Sequence, residues 1–120
     1  MKTTKEHFKA FEKEARRMID MLGMKDWQIS FKCCELKDIA SVSYSTVGRW
    51  AKFELADDID EDNIYIFEPE RYARHEVYHL LLADICDKLH VLNVDKNEIT
   101  FWQHIIIRRL EKLCVHGVTE

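Results

Sequence analysis

Apolar residues in the first part of the chain recur at helical spacing. Phe8, Phe11, Ala15, Met18 and Leu22 fall on one stripe, as side chains on one helix face do. Thr3-x-x-Glu6 has the form of a capping box ahead of the stripe, and Gly23 provides a stop behind it. The pattern predicts an amphipathic, structural helix over roughly residues 4–22.

The period then drops to two. Trp27, Ile29, Phe31 and Cys33 alternate with polar neighbours, Val42 and Tyr44 continue the style, and Ala51, Phe53 and Leu55 alternate again. Ser45-Thr46-Val47-Gly48 reads as a turn between the last two segments. Three short strands between residues 26 and 56 are expected, forming a small, mostly antiparallel sheet.

Pro69, between Glu68 and Glu70, suits the first turn of a new helix with acids at its positive end. Ala73, Val77, Leu80, Leu81, Leu82, Ile85 and Leu89 make this helix apolar nearly all round, so it is expected to be central and to run to about His90. After Val91–Val94, Asp95-x-x-Glu98 or Asn97 can cap a last helix whose apolar face is Ile99, Ile106, Leu110 and Leu113. The predicted fold class is α+β, in the order helix, three-stranded sheet, central helix, C-terminal helix. It is expected to be a single domain over residues 1–120.

Composition changes this picture little. The chain is 47% hydrophobic and 33% charged, and only three glycines and one proline are available for turns, which suits few, long elements. A formal charge of −4 argues against a general nucleic-acid binder. The basic residues near Arg16 and Arg108 are interleaved with acids and read as solvated helix faces. No apolar run has the length of a membrane span, and Met1–Ala10 lacks an apolar signal core, so the expectation is a cytoplasmic protein. Cys33, Cys34, Cys86 and Cys114 have no metal-site spacing and read as reduced, partly buried thiols. The acidic run Asp57–Asp62 has no glycine where a calcium loop turns and reads as a solvated loop.

The candidate chemistry lies on the central helix, as His75-Glu76-Val77-Tyr78-His79. Residues four apart share one helix face, so two imidazoles can converge on one ion, and zinc accepts imidazole nitrogen readily. Glu76 lies at the flank of that face, where a carboxylate can meet a metal-bound water without ligating the metal. The competing reading is a helix with two structural histidines. Burying three polar groups among so many leucines is costly without a shared purpose.

A catalytic zinc needs a third protein ligand, and the last helix offers Glu98, Gln103 and His104. His104 is the best donor chemically, Glu98 is the alternative and equally a helix cap, and Gln103 points inward but is a weak ligand. Cys86 sits two turns beyond His79 and is assigned to packing, while His7, His90 and His116 occupy a surface helix, a helix end and the tail.

With these residues in view, the chain resembles the small phage- and prophage-encoded metallopeptidases related to the SprT-like and minimal gluzincin groups of zincins. Four stretches carry the resemblance: the first helix leading into Asp26-Trp27-Gln28-Ile29, the segment Trp50–Leu55, the core Ala73–Leu82, and the helix containing His104–Glu111. It implies a short sheet backed by helices, zinc on His75 and His79 with a third ligand from a later helix, and Glu76 as general base. Relatives often carry Glu just before the histidine of the last helix, where this chain has Gln103. That departure leaves the third-ligand role to His104 or Glu98, or else implies loss of tight metal binding.

The expected function is zinc-dependent hydrolysis of a peptide or protein substrate. Tyr44, Tyr65, Tyr72 and Tyr78 are candidate oxyanion donors, and a peptide could add beside Arg49–Leu55 if that strand forms the sheet edge. The rival expectation is a non-catalytic, metal-stapled module that binds a protein partner, such as a phage or prophage regulatory factor. DNA-associated proteolysis, a third reading, is disfavoured by the acidic charge.

Overall fold

The computed structural model describes residues 2–59 and 67–116, with side chains up to residue 113. The expected α+β class is present. The elements are α1 (Lys5–Met21), β1 (Gln28–Cys34), β2 (Ala40–Ser45), β3 (Trp50–Ala56), α2 (Pro69–Leu81), α3 (Ala83–Val91) and α4 (Lys96–His116). The expected loop over Asp57–Asp62 lies partly outside the described residues, as do Tyr65 and the side chains of Cys114 and His116.

The first helix starts one residue later than its sequence signal. Thr4, not Thr3, is the N-cap, and its hydroxyl accepts from the His7 backbone N–H. His7 replaces Glu6 in the reciprocal role, its Nδ1 accepting from the Thr4 N–H. Thr3 is taken by the sheet instead, where its N–H donates to the Asp57 carbonyl. The predicted stripe does face inward: Phe11, Ala15 and Met18 are fully buried.

The sheet has the order β1-β3-β2 and is mixed rather than mostly antiparallel. β2 and β3 form the antiparallel hairpin expected around the turn, but β1 runs parallel to β3 on its other side. The five residues Glu35–Ile39 carry the chain across the end of β3. Alternation in the sequence gives each strand a buried face and says nothing of strand order, and here the most apolar strand takes the centre. Ala51, Phe53 and Leu55 of β3 are all essentially inaccessible. The condition for a peptide to add beside Arg49–Leu55, that this strand be an edge, is therefore not met; the edges are β1 and β2.

Aromatic packing joins α1 to the sheet. Phe31 stacks on Phe53 and meets Phe11 edge-on, while the Arg16 guanidinium covers the Phe31 ring from outside. α2 packs on α1, β2 and α4. Its ridge Ala73, Val77 and Leu80 is buried, and Ile107 of α4 is buried in the same core cluster.

The long central helix expected to reach His90 is broken at Leu82, whose backbone (φ −90°, ψ 0°) ends α2 and starts α3. No proline or glycine causes the break, so the apolar periodicity runs straight through it. What α3 gains is an attachment to the β2–β3 turn: Arg49 donates to Asp84 at 2.6 Å and Thr46 to Asp87 at 2.7 Å. Arg49 also pairs with Asp26 and lies over the Trp27 ring. These contacts hold a non-glycine residue at φ 56°, a left-handed conformation that is otherwise costly. Beyond the break, Ile85 is 59% exposed, so the helix pair is not covered all round. The inward face of α4 is Ile99, Ile107 and the half-buried Leu110; Ile106 and Leu113, assigned to it from the sequence, are exposed.

One ionic tie crosses from α1 to the residue before His75. Arg74 donates to the Glu14 carboxylate at 2.9 Å, and Arg17 engages the same group from its own helix. Burial pushes the Glu14 carboxyl up, but the hydrogen bonds and charges of Arg17 and Arg74 outweigh it and leave it below the ordinary 4.5. A carboxyl with a lowered folded-state pKa adds stability that is present above its unfolded value and is lost as pH falls through the folded one. Glu14→Gln is therefore expected to lower the urea midpoint near neutral pH and to flatten its decline below pH 4.5. Parallel midpoint–pH curves for the two proteins would show that the tie contributes nothing.

Candidate metal centre

α2 is a helix with two distinct sides. At about 100° per residue, Ala73, Val77 and Leu80 share one side and His75 and His79 the other, with Glu76 between them. The hydrophobic ridge goes into the core, so the imidazoles are turned outward over the end of β2 and against α4. There they border a cleft of about 750 Å³ with Glu76, Gln103 and His104 on one wall. Ala40, Ser41, Val42 and Tyr44 of β2 form the other.

His75, His79 and His104 bring one ligating nitrogen each to within 4.8 Å of one another. The Nε2 atoms of His75 and His79 are 3.2 Å apart. Two imidazoles on one tetrahedral zinc, each about 2.0–2.1 Å from it, have nitrogens roughly 3.3 Å apart. Glu98 stands exposed in the first turn of α4 and belongs to no such donor group among the described residues.

The outer nitrogens fix which atoms face the centre. His104 Nδ1 lies 2.9 Å from the Thr100 carbonyl, which can only accept, so that nitrogen carries the hydrogen. His75 Nδ1 likewise donates to the Glu111 carboxylate at 2.9 Å. With the hydrogen on Nδ1, the neutral form of either ring leaves its Nε2 lone pair for the cluster, the arrangement that orients histidine ligands in metal sites. At 3.2 Å the His75 and His79 Nε2 atoms are within hydrogen-bond reach, and with His75 Nε2 as acceptor the donor is His79.

Electrostatics favour neutral imidazole. His79 is pushed down to about 4 by burial first, then by the charges of His75 and His104, with its hydrogen bond to the Gln103 side chain working the other way. Glu76, only 9% exposed, is the buried charged residue of the described core. Burial, and to a lesser degree the Asp38 carboxylate across the cleft, push it up to about 8. A divalent cation beside it would reverse that direction, since an opposite charge favours the ionised carboxylate.

The sequence candidates thus sort by position. His75, Glu76, His79 and His104 meet at one cleft, together with Gln103. Tyr44 and Tyr72 are on its wall, whereas Tyr78 is buried and donates to the Leu110 carbonyl. Cys86 is in the core on α3, away from the cleft; it is free, as are Cys33 and Cys34. Sequence reasoning missed the pairing of Glu111 with His75. Its spacing of seven from His104 puts both on one face of α4, and that was the available signal.

No family model, no curated protein and no solved structure matches the chain. No described helix is long and apolar enough to cross a membrane.

In the metal-free protein, His79 is expected to stay neutral until the pH approaches 4, far below an ordinary imidazole. Nitrogen-15 chemical shifts of the histidine rings, followed against pH, read this directly. A midpoint near 6.5 would mean that the ring is solvated and the cleft more open than described.

Proposed function

We propose that the chain is a zinc-dependent metallopeptidase whose metal is held by His75, His79 and His104. The observation that carries the reading is the convergence of three imidazoles from two helices, two of them with their outer nitrogens already engaged. The donor chemistry fits: three imidazole nitrogens within 4.8 Å of one another, one pair 3.2 Å apart as a tetrahedral site requires, leave a fourth position open. Zinc bound there supplies a Lewis acid and a water of lowered pKa.

The chain's own residues have separate tasks under this reading. Glu76, held beside the cluster with no side-chain hydrogen bond from a described residue, accepts the proton of a water in the cleft and passes it to the leaving amine. The hydroxyls of Tyr44 and Tyr72 are the donors available to an oxyanion. An extended peptide would add to β2, the edge strand that borders the cleft, because both sides of β3 are already paired.

The second reading is a metal-stapled module that binds a protein partner. Val91 and Leu92 at the end of α3, and Phe101 and Trp102 on α4, are each more than half exposed, which favours it.

Metal analysis and peptide hydrolysis separate the two. About one zinc per chain is expected in the native protein and in Glu98→Ala, with loss in His79→Ala and His104→Ala. Glu76→Gln should keep zinc and lose at least about 10²-fold in hydrolysis, the range of a general base. Native zinc without hydrolysis of any peptide, and a cobalt-substituted spectrum of a closed four-coordinate site, would favour the module instead. A native protein that takes up no zinc would remove both.

A further inference from the structure

A second, smaller cavity of about 270 Å³ adjoins the histidine cluster on the side away from β2. It is lined by Arg71, Tyr72, His75, His104, Arg108 and Glu111. Tyr72, His75 and His104 also border the main cleft, so the two spaces meet at the candidate metal centre.

The placement of its two arginines follows from helix geometry. Arg71 precedes His75 by four residues on α2, and Arg108 follows His104 by four on α4. Residues so spaced are neighbours on one helix face, roughly 5–6 Å apart at Cβ. Each arginine is therefore one turn from a candidate ligand, and the two approach the same pocket from different helices. Neither has an ion pair with a described residue, unlike Arg16, Arg17, Arg49 and Arg74. The pocket's carboxylate, Glu111, is occupied by His75 Nδ1. Two exposed guanidiniums beside a committed carboxylate leave an excess of positive charge and several unfilled donors.

We propose that Arg71 and Arg108 form an anion subsite for a substrate carboxylate lying one or two residues from the bond that is cut. The distance sets that limit: an extended peptide advances roughly 3.3 Å per residue, so one helical turn from the centre is one to two residues of substrate. Guanidinium is suited to the task because its planar donors match both oxygens of a carboxylate. The carboxylate is either the C-terminus of a short peptide or the side chain of an acidic residue. The proposal rests on the peptidase reading for the meaning of the cleft, and it names the class of substrate that reading leaves open.

The test is binding to the full-length Glu76→Gln protein, with and without added zinc, by calorimetry. The probes are acetyl-trialanine as the free acid, the same peptide as its C-terminal amide, and acetyl-Ala-Glu-Ala amide. The free acid is expected to bind about tenfold tighter than the amide, the worth of a charge-assisted hydrogen bond. The preference should shrink in Arg71→Gln and Arg108→Gln and vanish in the double variant. Binding of the glutamyl amide as tight as that of the free acid assigns the subsite to an acidic side chain; preference for the free acid alone assigns it to the terminus. Equal binding of acid and amides, a preference that survives the double substitution, or no binding of any probe overturns the subsite. Zinc uptake is measured on the same samples. Zinc without acid preference leaves the peptidase centre and removes the subsite, whereas acid preference in a chain that takes no zinc does the reverse.

Discussion

The structure depends on one helix burying one side while presenting the other. α2 must place Ala73, Val77 and Leu80 in the core, where each is at most 1% exposed. Helical geometry then leaves little freedom for its remaining residues. His75 and His79 have to emerge opposite the ridge, and Glu76 has to lie between the two sides, mostly buried yet bordering the cleft. Loss of the ridge would lose the core and the donor geometry together. Arg74 strengthens this register from the α1 side by its bond to Glu14, and Pro69 fixes the backbone of the first turn.

The partner helix is set by fewer contacts. α4 contributes Ile99 and Ile107 to burial and otherwise exposes much apolar surface, including Phe101 and Trp102. Its alignment with α2 is aided by polar links at the site itself: His75 to Glu111, Gln103 to His79, and the packing of His104 against both α2 imidazoles. Such links are directional, so they set the rotation of α4 as well as its distance. The groups that orient the donors therefore also serve as part of the packing between the helices.

How much of this was legible in the sequence follows from the range of each signal. The α1 stripe, the three strands and the beginning of α2 are local periodicities, and they emerged with bounds close to those expected. The HExxH pattern is local too, because two donors four apart on a helix need no tertiary knowledge. Strand order was not legible: alternation looks the same in a centre strand and an edge strand, and only the buried Ala51, Phe53 and Leu55 show that β3 lies inside. The break at Leu82 was hidden for a related reason. It is associated with contacts from Arg49 and Thr46, some forty residues away in a turn. The pairing of Glu111 with His75 spans two helices: spacing within α4 puts Glu111 on the His104 face, but which residue of α2 it meets is a tertiary matter.

Gln103 illustrates what a neutral amide does beside an imidazole cluster. It faces His79 through a side-chain hydrogen bond, as a neutral amide rather than a carboxylate. A carboxylate there would hold the His79 imidazole more strongly in its protonated form, in competition with a metal. The neutral amide orients the ring and favours the protonated form too little to offset burial. Three neutral imidazoles would also leave a bound divalent ion its full positive charge, whereas a carboxylate ligand would offset part of it. A more positive centre acidifies its water more strongly and attracts anions more strongly. A neutral Gln103 is thus consistent with a centre built from His75, His79 and His104. It is equally consistent with Arg71 and Arg108, which have no ion pair among the described residues and stand one turn from that centre.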